Sequence, residues 1–66
     1  MKHVKEYLNR FKDINNMVNL EENEVAKEIE SLYSVDKKIA KGCLNLLDYQ
    51  GQIEIRDTRI IVKELI

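Results

Sequence analysis

SVDKKIAKGCLNLLDYQGQIEI, residues 34–55, is the stretch on which the fold turns. Ser34 is the kind of residue that caps a helix N-terminus, and the apolar period predicts a helix from Val35 to about Tyr49. Gly51 stands where a left-handed residue ends such a helix. Projected at helical spacing, Val35, Ile39, Ala40, Cys43, Leu46 and Leu47 fall on one broad arc, which is expected to be buried. Lys37, Lys38, Lys41, Asn45 and Asp48 share an opposite arc of about 100°. Past Gly51 the period becomes that of a strand. Ile53, Ile55, Ile60, Ile61 and Val62 are β-branched, and Glu54, Arg56 and Lys63 alternate with them. Arg56-Asp57-Thr58-Arg59 interrupts the apolar residues and predicts a hairpin tip.

Upstream, two further helices are expected. Val4, Tyr7, Leu8, Phe11, Ile14 and Val18 follow steps of three and four residues within a stripe of about 120°. Paired Asn15-Asn16 favours a turn at its end. Asn19 with Glu22 resembles a capping box for a second helix, whose early Glu21, Glu22 and Glu24 suit the positive end of the helix dipole. Leu20, Val25, Ile29 and Leu32 supply its apolar stripe, and Ala26 a small packing position.

The balance of the chain excludes several classes. The 66 residues are 44% hydrophobic and 35% charged, with 11 basic and 12 acidic groups, a net charge of −1. One domain, residues 1–66, is all this length allows. The apolar content is too high for a disordered chain. With one cysteine there is no internal disulfide, which suits reducing cytosol. No run is long enough for a membrane span, and the charged N-terminus does not read as a secretory signal. Opening on Met1, the chain is expected to be complete. Nothing resembles a phosphate-binding glycine loop, a catalytic triad or a metal cluster, so no enzyme and no cofactor are expected. His3 lacks a ligand set. Cys43 reads as a small hydrophobe, and Tyr33 and Tyr49 as edges of the core.

The order helix, helix, helix, hairpin resembles the winged helix-turn-helix family: mostly α with a small β-hairpin. Val25-Ala26-Lys27-Glu28-Ile29 looks like the family's second helix, residues 34–47 like its recognition helix, and residues 48–55 like the exit into the wing. Glu30-Ser31-Leu32-Tyr33 is longer than the family's usual turn and has no glycine, so the second helix is expected to run an extra turn. The resemblance implies a small DNA-binding transcriptional regulator. Lys37, Lys38 and Lys41 would meet phosphates or guanine edges in the major groove and Asn45 an adenine edge. Arg56 and Arg59 at the wing would reach the DNA backbone or a minor groove.

Charge bookkeeping agrees in direction. Residues 1–33 carry 5 basic and 7 acidic groups, and residues 34–66 carry 6 and 5. The near-neutral total and the acidic second helix also motivate an alternative, a module that binds a protein partner such as a transcription factor. A homodimer is expected from surplus apolar residues of the first helix, such as Tyr7 or Met17, or from edge pairing at Leu65-Ile66.

Overall fold

The computed structural model describes residues 2–65. Its elements are α1 (Lys2–Phe11), β1 (Met17–Glu21), α2 (Glu22–Tyr33), α3 (Lys37–Tyr49), β2 (Ile53–Arg56) and β3 (Arg59–Val62). Three helices and an antiparallel sheet that includes the hairpin wing make the fold mostly α, as the sequence predicts. The sheet holds one strand more than expected. β3 lies in its middle, in the order β1-β3-β2.

That extra strand takes the residues expected to join the first two helices and to open the second. α1 stops at Phe11, and the cause is local. The Asp13 carboxylate accepts the N–H groups of Asn15 (2.8 Å) and Met17 (3.0 Å), and Asn16 adopts a φ of 61°. Asp and Asn favour such side-chain-closed turns, and Asn tolerates the left-handed region. The chain reverses, Val18 enters β1 opposite Ile60, and Ile14 is left 96% exposed on the turn. Asn19 therefore lies in a strand and caps nothing. α2 starts after Glu21 without a side-chain cap, and the Glu22 N–H donates to the Thr58 carbonyl at 2.7 Å.

The junction of α2 and α3 also differs from expectation. α2 takes its extra turn and reaches Tyr33. Ser34, predicted to start the next helix, ends this one in the left-handed region (φ 55°), its N–H donating to the Glu30 carbonyl at 3.0 Å. Asp36 is the N-cap of α3, its carboxylate accepting the Lys38 N–H at 2.7 Å. The Glu30 carboxylate takes the Lys37 N–H at 3.1 Å. Two free donors at the helix start are thereby satisfied. At the other end Gly51 adopts a φ of 77°, as expected of a residue past a helix terminus.

A rotation of α3 is the largest correction. Its buried residues are Ala40, Leu44 and Leu47. Ile39 and Leu46, predicted to be inside, are 61% and 44% exposed, and Tyr49, predicted at the core edge, is 88% exposed. Apolar residues occupy more than half of this helix's circumference, so period alone could not choose which arc faces inward. The choice is made by α2, through Val25, Ala26 and Ile29, and by Ile53, Ile60 and Val62 of the sheet, which share one cluster with the buried side of α3. Val35 and Cys43 are half-buried against that cluster.

Two neighbouring features complete the core. Tyr7 is buried rather than available as a dimer contact, and its hydroxyl donates to the Glu28 carboxylate. Burial foremost, then the hydrogen bond and charge of Glu28, holds its pKa well above the usual tyrosine range. Met17 is half-buried, and of the Leu65-Ile66 end expected to pair with a second copy, Leu65 lies beyond β3 and packs against the core, while Ile66 lies outside the described residues. The hairpin is as predicted, with Ile53 opposite Val62 and Ile55 opposite Ile60. Asp57 and Thr58 form its two-residue turn with φ of 51° and 65°, the twist-compatible geometry of a type I′ loop.

Three substitutions check this packing and the hairpin turn. Leu44→Ala is expected to cost about 2–4 kcal/mol in urea unfolding, whereas Leu46→Ala costs less than about 1 kcal/mol. Thr58 is β-branched in the left-handed region, so Thr58→Gly is expected to raise the unfolding midpoint, by roughly 1 kcal/mol in free energy.

Candidate nucleic-acid interface

The caps at Asp36 and Glu30 set where α3 begins, and so where its lysines stand. Lys37 and Lys38 open the helix, Lys41 follows one turn later and Asn45 a turn after that. The rotation of α3 leaves all four on one side of it, with Lys38 and Asn45 exposed and Lys37 and Lys41 half-buried along their stems. Among the described residues none of these three lysines has a carboxylate within salt-bridge distance. Asp48 closes the C-terminal end of the same side. The Asp36 and Glu30 carboxylates meet the backbone at the start of α3, while Glu21, Glu22, Glu24 and Glu28 stand at the start of α2 or along it.

Arg56 and Arg59 stand on the outer face of the hairpin, directly opposite one another in register. Like charges at such a pair repel, and each arginine has a local partner that offsets this. The Arg56 guanidinium holds Glu54 through Nη2 at 2.5 Å and Nε at 2.7 Å, and Lys63 reaches the other oxygen of Glu54 at 3.1 Å. Arg59 Nη1 donates to the Asn19 carbonyl at 3.2 Å. With the Thr58 carbonyl also bound by the Glu22 N–H, the tip is tied to the junction of β1 and α2. The structure thus gathers Lys37, Lys38, Lys41 and Asn45 on one side of α3 and holds each wing arginine in a contact of its own.

A second feature of α3 escaped the sequence reading. Beside the lysine side runs an outward apolar line of Ile39, Gly42, Leu46 and Tyr49. Its signal was present as alternating steps of three and four residues, and the glycine within it masked the pattern. Two surface hollows lie along α2, one of about 400 Å³ at Leu20, Glu24, Lys27 and Glu28, the other of about 250 Å³ at Phe11, Glu28, Ser31 and Leu32. Neither includes an α3 residue. His3 stacks on Tyr33 with ring centroids 5.0 Å apart and sits 4.0 Å from Glu6. Among the described residues no three His, Cys, Asp or Glu side chains are placed to hold a metal ion.

No family model, curated protein or solved structure matches the chain. Among the described residues no helix is long and apolar enough to cross a membrane.

Hydrogen bonds from Lys63, then from Arg56, keep the Glu54 carboxyl below its usual pKa. The fold favours its ionised form, so this contribution to hairpin stability is complete at neutral pH and is lost as pH falls through the lowered value. An NMR titration is expected to place Glu54 below the usual carboxylate range, and Lys63→Ala to move it back upward.

Proposed function

We propose that this protein binds double-stranded DNA through the lysine side of α3 and acts in the cytoplasm as a small transcriptional regulator, by binding rather than by catalysis. The observation that carries this is the set of three lysines with no acidic partner, beside Asn45, on a chain that carries four glutamates on α2. An unpaired ammonium can exchange its counterions for a phosphate without first losing a protein partner, and the release of those counterions favours binding. Asn45 adds the donor and acceptor pair that suits an adenine edge. The three-helix arrangement with its hairpin supports the same reading, because α3 occupies the place of the recognition helix in the family the sequence resembles. Arg56 and Arg59 are secondary contributors here, since each must leave Glu54 or Asn19 to meet DNA.

About three phosphate contacts per copy make for weak, salt-sensitive binding. Fluorescence anisotropy with a labelled duplex at low salt is the test. The wild type is expected to bind with an affinity that falls steeply with salt. Changing Lys37, Lys38 and Lys41 together to Ala is expected to abolish most of that affinity and flatten the salt slope by up to roughly 3. Absence of wild-type binding, or an unchanged triple variant, overturns the proposal. The apolar line of α3 favours a second reading, a surface for a protein partner. That reading predicts a complex that persists at high salt and is lost in Ile39→Glu or Leu46→Glu.

A further inference from the structure

α3 is apolar on two sides, and the fold covers one of them. Ala40, Leu44 and Leu47 are fully buried. The other side is spelled by Ile39, Gly42, Leu46 and Tyr49, at successive intervals of three, four and three residues. That is the repeat by which one helix packs along another. Its large members Ile39, Leu46 and Tyr49 are exposed in this chain.

Gly42, at the centre of the line, is the independent observation. A glycine inside a helix is about 1 kcal/mol less favourable than alanine. Where the fold itself needs a glycine, a Cβ would collide or the backbone would take a positive φ. At Gly42 a Cβ would meet nothing within 4 Å, and the positive φ belongs to Gly51. The single chain gains nothing from the missing side chain, whereas a helix approaching from outside does.

We infer that the surface approached is a second copy of this chain, and that the two α3 helices pack antiparallel about a two-fold axis. Self-complementarity identifies the occupant. In the antiparallel stagger Leu46 of each copy lies over Gly42 of the other, and Ile39 lies beside Tyr49. The large side chains then fill the space the glycines leave. A parallel pair stacks Gly42 on Gly42 and leaves that layer empty. A two-fold axis across the pair also brings equivalent flanks together. Asn45 then meets Asn45 of the second copy, Lys38 lies towards Gln52, and Asp36 faces Gln50. Each charge meets a neutral hydrogen-bonding side chain, so no like charges oppose one another along the seam.

The same symmetry sets Lys38, Lys41 and Asn45 of both copies on one side of the pair. Two helices packed side by side are wider than the single helix a major groove admits, so the pair and the DNA complex proposed above are alternative states of α3. The pairing itself does not rest on that reading. A contact between single helices of this length is smaller than the roughly 800 Å² per partner of a stable interface. The dimer therefore forms and dissociates with concentration.

Sedimentation velocity across micromolar to millimolar protein, without DNA, is the test. The wild type is expected to shift from monomer to dimer mass. Ile39→Glu with Leu46→Glu is expected to stay monomeric throughout while keeping the wild-type helical circular dichroism, because both side chains lie outside the core. Gly42→Ala separates a structural from an associative role. It is expected to raise the melting temperature of the dilute monomer and to weaken the dimer several-fold. The Lys37, Lys38 and Lys41 triple variant is expected to dimerise normally, so loss of DNA binding and loss of pairing are told apart. A wild type that remains monomeric at millimolar concentration overturns the inference. So does a dimer unaffected by the double glutamate variant.

Discussion

β3 pairs on both of its edges, and the rest of the structure depends on that. Arg59, Ile60 and Ile61 lie against β1 and its whole length against β2, while Ile60 and Val62 project into the core. A lone two-stranded hairpin is marginal in water, and a five-residue strand without a partner is less than that. β3 converts both into a sheet with one buried face. Its reach extends to the helices. The Val62 N–H donates to the Asn16 carbonyl and the Glu22 N–H to the Thr58 carbonyl, each at 2.7 Å. The turn after α1 and the uncapped start of α2 are thus completed by residues some forty positions later. In so short a chain this couples the ends of the sequence into one cooperative unit.

The same arrangement decides what α3 shows to its surroundings. The sheet and α2 leave room for the arc of Ala40, Leu44 and Leu47. Once that arc is inside, the lysine side and the line through Ile39, Gly42 and Leu46 are both outside, next to one another. A net charge of −1 looks uninformative for a partner of either sign. The placement of the charges is not. Four glutamates lie on α2 and three unpaired lysines on α3, so one chain presents surfaces of different electrostatic character.

Much of the candidate site was legible before the structure. Lys37, Lys38, Lys41 and Asn45 share a side at helical spacing, and that grouping survives any rotation of the helix, because it depends on the period alone. The hairpin was legible for a similar reason: alternating isoleucines and a break at Asp57-Thr58 are local signals. What sequence could not assign were the features that need a distant partner. Met17–Glu21 has no strong strand pattern of its own, and it is extended because β3 lies beside it. The state of the wing arginines was equally hidden, since Arg59 meets a carbonyl forty residues away and Arg56 meets a Glu54 that is also held by Lys63.

The sequence by itself determined three helices, a hairpin and a lysine side on the third helix, since each follows from spacing along a few turns or one pair of strands. The tertiary structure alone decided where α1 stops, that a third strand exists and which arc of α3 is buried. The physical reason is that α3 carries enough apolar surface for two contacts, and burial against α2 and the sheet selects one of them. The unselected surface, with Gly42 at its centre, stays exposed.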